Sequence, residues 1–326
     1  MYRILKEELN SPIKFKEKLS KYIQEKKMEI EQKCGIDFDK EELADLLLSA
    51  CRSNDFGVIS QQGNKMFLNE DNVSDWIEKK LLPNTIIVRL DDEDVVRLLI
   101  FCIEITYQMF SGGTRATTTA KGFRERRRTF ETILVDQFIG KLGEIMLKKF
   151  LEDNFHSVTI ELDWKISREI EEFGNDIINA KKKVSIKSSP TLTGIWWDAN
   201  IGYDYGIAVK CSVPQQPILQ FFIEVCGFTR LLDFAENKIP KDDNLFKDYL
   251  ENMRARIKKF KCGEIQTDLK GIICGYFKTS EYKPIKKGTL LPYLGEVREE
   301  RHLVRINDLK WEKDSWEKFL QEVGLL

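Results

Sequence analysis

Three residue types at one spacing could do chemistry. Asp176 is followed after a short turn-like segment by Ser185-Ile186-Lys187, and Glu144 precedes both in Gly140-Lys141-Leu142-Gly143-Glu144. If Asp176-Ile177-Ile178 and Val184–Lys187 are the arms of a tight hairpin around Asn179-Ala180-Lys181-Lys182, the acid and the lysine meet at one spot. Ser185 and Lys187 share a face because strand side chains alternate. Aspartate offers oxygen ligation to Mg²⁺, and a lysine beside it orients a water or neutralises developing charge, which are the requirements for cutting a phosphodiester. Singly, each residue has an ordinary reading: a solvated helix carboxylate, a turn aspartate, a surface lysine. Their order along the chain is what points to a site.

Several elements must position these groups. Apolar residues at 134, 135, 138, 139, 142, 145, 146 and 150 predict a helix over 129–152 that carries Glu144. Gly140 lies one turn before Glu144, and an interior helix glycine costs ~1 kcal/mol against alanine, so a backbone or a phosphate is expected to approach there. Val158–Leu162, Tyr205–Cys211, Ile218–Cys226 and Leu269–Phe277 read as strands, with a helix at about Asn244–Phe260 and a last one from about Trp316. Upstream, Phe15–Gln32, Lys40–Cys51 and Asp94–Phe110 read as helices. Ser111-Gly112-Gly113-Thr114 marks a soft boundary. The expectation is an α/β protein, with a mostly helical N-terminal domain over 1–112, for DNA recognition or dimerisation, and a catalytic domain over 113–326.

Composition narrows the chemistry. The 326 residues, 42% apolar, are enough for a large core. No apolar run approaches a membrane span, and the opening Met1-Tyr2-Arg3-Ile4-Leu5-Lys6 is not a signal-peptide start, so a cytoplasmic protein without membrane contact is expected. Seven cysteines without a Cys-x-x-Cys pair fit a reducing compartment and exclude a zinc ribbon. With only His156 and His302, histidine-based triads and shuttles have little to work with. Residues 1–110 carry 16 Lys and Arg against 21 Asp and Glu, whereas the remainder carries 36 against 32. The positive charge gathers in Arg115, Lys121, Arg124, Arg126, Arg127 and Arg128, and in Lys181, Lys182, Lys183 and Lys187. Such clusters bind phosphates even on a nearly neutral chain. Lys210 and the basic helix over 252–261 are weaker phosphate contacts. Trp196-Trp197-Asp198, placed in a loop after Ser188-Ser189-Pro190, offers aromatics for stacking on a base or for packing. The high Lys and Glu content is compatible with a thermophilic host.

On Gly-x-x-Gly-Glu at 140–144, Gly174-Asn175-Asp176 and Ser185-Ile186-Lys187, the chain resembles the PD-(D/E)XK nuclease superfamily, and within it the type II restriction endonucleases. The resemblance runs from Gly140 to about Phe277. It implies a restriction-endonuclease-like core with a mixed four- to five-stranded sheet flanked by helices. It also implies Mg²⁺-dependent hydrolysis leaving 5′-phosphate and 3′-hydroxyl ends, and a homodimer on double-stranded DNA with a cognate methyltransferase gene as a neighbour. Asn175 stands where the family has proline, and Ser185 where it has a second metal-binding acid. Some restriction enzymes with Ser-x-Lys draw the missing carboxylate from elsewhere, and the candidates here are Glu144, then Glu224. The implied site is therefore Glu144, Asp176, Ser185 and Lys187, with Asp176, Glu144 and Glu224 toward the metal. The wider chain is also similar to thermophilic enzymes that cut within GGCC. Alternatives are a repair, junction-resolving or RNA-cutting nuclease of the same fold, or a nucleic-acid-binding protein that has lost catalysis.

Overall fold

The structure is a computed structural model that describes residues 2–90, 92–110, 130–165, 175–213, 231–232, 235, 238, 244–261 and 268–326. Strand β1 (Arg3–Ile4) leads into helices α1 (Lys6–Asn10), α2 (Pro12–Cys34) and α3 (Lys40–Ser53). α3 starts where Asp39 forms a capping box: its carboxylate accepts from Glu41 N–H, and Glu42 accepts from Asp39 N–H at 2.8 Å. β2 (Ile59–Gln62) and β3 (Lys65–Leu68) join β1 in a small antiparallel sheet, and α4 (Glu70–Trp76) runs on into a π-helical turn. The N-terminal segment is thus helical with strands interposed.

Among the described residues the central sheet is mixed and four-stranded. β4 (Thr85–Arg89) pairs antiparallel with β8 (Asp268–Lys278), β8 antiparallel with β7 (Tyr205–Ser212), and β7 parallel with β5 (Val184–Ser189), in the order β4-β8-β7-β5. Helices α5 (Glu93–Phe110), α6 (Phe130–Asn154), α7 (Asn244–Lys261) and α8 (Lys313–Val323) complete the expected helix set. The expected boundary at 112 falls outside the described residues. β4 and α5, which precede it, nevertheless pair with β8 and pack on α6.

Alternation along the strands sends residues into two cores. Ile207, Val209 and Ile273 enter one with Leu142, Met146 and Phe319 of the helices, whereas Ala208, Ile272 and Cys274 enter the other with Leu43, Leu47 and Trp76 of the N-terminal segment. α6 buries residues around much of its circumference because α5 covers one side and the sheet another. Among the described residues no helix is long and apolar enough to cross a membrane.

The structure moves the glycine argument by one turn. A Cβ on Gly140 would meet nothing within 4 Å, but one on Gly143 would lie 1.8 Å from Ser188 Oγ and 2.7 Å from Ser188 Cβ. The close approach is that of β5 to the helix, sealed by Ser188 Oγ donating to Gly140 O at 3.2 Å. Gly140→Ala should therefore stabilise the fold by about 0.5–1 kcal/mol through helix propensity. Gly143→Ala should destabilise it by about 1–3 kcal/mol through overpacking. Denaturant midpoints of the two variants check both signs.

Candidate active site

β5 is an edge strand: β7 covers one side, and residues 175–183 fold along the other. The expected hairpin is replaced by this loop, because after Asp176 the chain turns away from β5: Ile177 bridges Leu162 and Ile178 N–H donates to Glu161 O at 2.9 Å. Asn175 organises the loop. Its Oδ1 accepts from Val184 N–H at 2.9 Å, and its Nδ2 donates to Lys182 O at 2.9 Å. Asp176 N–H donates to Val184 O at 3.2 Å, and Asp176 Oδ2 accepts from Ile186 N–H at 2.6 Å. Ile177, at 0% exposure, bridges to Leu162 and anchors the loop in the core. The aspartate is thus fixed against the residue next to Lys187.

Ser185 and Lys187 share a face of β5, in register with Gly206 and Ala208 of β7. Ser185 is buried at 1% exposure, whereas Lys187 is half-buried. From the side of α6 comes Glu144, whose Oε2 accepts from Lys141 Nζ at 2.6 Å. The same ammonium donates to Asp163 O at 2.6 Å and lies 5.5 Å from the ring centroids of both Phe101 and Trp164. Two aromatic faces and two oxygens hold that lysine in place.

Electrostatics tie these groups into one cluster. Burial pushes Glu144 up to about 8, against the pull of Lys141 and with a further push from the charges of Asp176 and Asp163. Burial also raises Asp176, opposed by the Ile186 N–H bond and then by Lys187 and Lys141. The Tyr203 phenol is raised by burial and by the Asp176 charge. Among the described residues no group of three or more His, Cys, Asp or Glu converges on a metal position. Two largely desolvated carboxylates, Glu144 and Asp176, act on each other there, with Lys141 and Lys187 as their positive neighbours. One or two protein carboxylates are what Mg²⁺ ordinarily takes, with waters and phosphate completing its shell, so the donor set fits that ion.

Asp176 interacts electrostatically with both Glu144 and Lys187, and Ser185 lies buried in the same strand as Lys187. Glu224 and the cluster Arg115, Lys121, Arg124, Arg126, Arg127 and Arg128 lie outside the described residues, as does the strand expected over 218–226. Lys181, Lys182 and Lys183 are exposed at the end of the loop that carries Asp176. Trp196 and Trp197 are not in a loop. They form β6 (Trp196–Ala199), which is paired antiparallel with the strand His302–Arg305. Trp197 is core, and the Trp196 indole N–H donates to Pro292 O at 2.8 Å. Lys210, expected to contact phosphate, is buried at 1% exposure under the N-terminal segment. Lys141, Asp163 and Tyr203 were not anticipated. Only Lys141 left a trace, standing three residues before Glu144 on one helix. No family model, no curated protein and no solved structure matches the chain.

The raised Glu144 sets a pH dependence. A carboxyl that binds its proton more tightly folded than unfolded stabilises the fold at low pH, and that contribution is lost as pH rises from the ordinary 4.5 to about 8. Glu144→Gln removes the loss while Lys141 keeps its bond to Asp163 O. The variant's stability advantage over the parent should grow between pH 5 and 8 and level off above. Denaturant unfolding across that range, in EDTA, measures it, and an advantage that does not change with pH would contradict the assignment.

Proposed function

We propose that this chain is a Mg²⁺-dependent endonuclease of the type II restriction class, cutting double-stranded DNA at defined sites to leave 5′-phosphate and 3′-hydroxyl ends. The observation that carries the reading is the Asp176 carboxylate bonded to Ile186 N–H, with Lys187 on the next residue and buried Glu144 in the same electrostatic cluster. The residues of the PD-(D/E)XK resemblance thereby share one place at the edge of a mixed four-stranded sheet, which supports a restriction-endonuclease-like core.

In this reading Asp176 and Glu144 would hold the cation, which when bound would supply charge neutralisation at the phosphate and lower the pKa of water. Lys187 orients the attacking water or stabilises charge on the scissile phosphate during in-line displacement. Lys141 keeps Glu144 directed into the site from α6 and gives it a positive partner before the cation arrives. Ile186 N–H fixes the Asp176 carboxylate so that its other oxygen can serve as a ligand. Ser185 adds no carboxylate, so Glu144 takes that place. Lys181, Lys182 and Lys183 lie on the exposed turn next to Asp176, positioned for phosphate contacts along a duplex. The arrangement suits a homodimer in which each copy cuts one strand, encoded beside a protecting methyltransferase.

Incubating the full chain with unmethylated phage-length DNA tests this. Discrete fragments are expected with Mg²⁺ and none with EDTA. Asp176→Ala and Lys187→Ala should lower the cutting rate by roughly 10²–10⁴-fold. Glu144→Gln should do the same. A smear would make this a non-specific nuclease. Intact DNA with a retarded band would make it a binding protein.

A further inference from the structure

Between Ile285 and Arg301 the chain makes a hairpin whose residues are mostly exposed. Ile285 N–H donates to Arg301 O at 2.8 Å, and Gly288 N–H to Val297 O at 2.7 Å. β9 (Leu290–Leu291) and β10 (Gly295–Glu296) then pair antiparallel around the turn Pro292-Tyr293-Leu294. The end of this hairpin is apolar and bare: Leu290 is 77% exposed, Leu294 45% and Tyr293 41%. Exposed apolar side chains are ordinary when scattered, but a contiguous group at a tip marks a contact surface.

The tip is also held still. The Trp196 indole N–H donates to Pro292 O at 2.8 Å, and the Arg52 guanidinium lies 4.8 Å from the centroid of the Tyr293 ring. Arg52 is itself fixed, donating through Nε to Leu9 O at 2.8 Å and through Nη1 to Thr193 O at 3.3 Å. Tyr293 sits at φ +63°, a left-handed backbone that a bulky residue adopts only at a cost. Two anchors and a strained turn thus keep leucine side chains out in water, which folding alone does not favour.

The charge around the tip selects its partner. Lys283, Lys286 and Lys287 are exposed on the way into the turn and Arg298 on the way out, and over 283–298 Glu296 is the one acidic residue. Beyond that stretch Glu299 is bonded to Arg301 at 2.7 Å, and Glu300 is exposed. Basic arms beside an apolar point match a duplex, because phosphates attract lysines and leucine is among the side chains that wedge between base steps. Thr193 and Trp196 follow β5 directly, so the tip is tied to the strand that carries Lys187. We propose, resting on the endonuclease reading, that this hairpin is a wedge for double-stranded DNA: Leu294 and Leu290 enter between stacked base pairs while Lys286 and Lys287 contact the phosphates beside them. The resistance of that step to unstacking then contributes to site choice without a base-specific hydrogen bond.

Wedging unwinds a duplex. A closed plasmid relaxed by a metal-independent type IB topoisomerase, in EDTA to prevent cutting, records the unwinding as a lowered linking number once the protein is removed. The full chain should lower the linking number in proportion to the protein bound. Leu290→Ser combined with Leu294→Ser should still retard the plasmid in a gel but leave its linking number unchanged. Both leucines are exposed, so this variant should fold as the parent does. Lys286→Gln with Lys287→Gln should lower the slope of log affinity against log salt by about 2. Retardation by the parent without a change in linking number overturns the wedge and leaves the endonuclease reading standing, as does an equal change in parent and leucine variant. A parent that fails to retard the plasmid also overturns the wedge, and failure to cut with Mg²⁺ as well overturns the endonuclease reading with it. Binding to phosphatidylserine vesicles that the leucine variant loses, with no change in linking number, would assign the tip to a membrane instead.

Discussion

The hydrogen bond from Ile186 N–H to the Asp176 carboxylate is the constraint on which the site depends. It exists because β5 is an edge strand: β7 takes the hydrogen bonds on one side and leaves those on the other to be satisfied. The loop over 175–183 does so, with Asn175 and Asp176 supplying the side-chain and main-chain partners. Covering that edge and placing an acid next to Lys187 are one structural act. The expense is desolvation of the carboxylate, visible as its raised pKa.

The second carboxylate is bought the same way from the helical side. Glu144 reaches the site only because α6 lies close on β5, and that closeness needs the missing side chain of Gly143. Lys141 offsets part of the desolvation and is itself locked between Phe101, Trp164 and Asp163 O. The result is a pair of desolvated, mutually repelling carboxyl groups at one end of the sheet.

Much of this was legible in the residue pattern. The helices over 12–34, 40–53, 93–110, 130–154, 244–261 and 313–323 and the strands over 205–212 and 268–278 follow from apolar periodicity. Asp176 and Lys187 were legible because the local turn between them brings them together. The misreadings share one cause, dependence on distant partners. Trp196–Ala199 is a strand because His302–Arg305 pairs with it. Residues 177–178 bond to 161–162 rather than forming a hairpin arm against β5, and the choice between Gly140 and Gly143 depends on the rotation of α6 against β5. Lys210 carried a usable signal, a lone charge in Ile207-Ala208-Val209-Lys210-Cys211, which is the pattern of a buried lysine rather than of a phosphate contact. Asp163 and Tyr203 could not be found from spacing, since only the closed sheet brings them near Asp176.

The central claim is that the two desolvated carboxylates await a divalent cation. The most direct measurement is a ¹³C NMR titration of the Glu144 and Asp176 carboxyl groups, without and with saturating Mg²⁺. Without the cation Glu144 should titrate near 8 and Asp176 above the usual aspartate range, and with it both should stay ionised down to the ordinary carboxylate range or below. Titration curves that coincide in the two conditions would contradict the account.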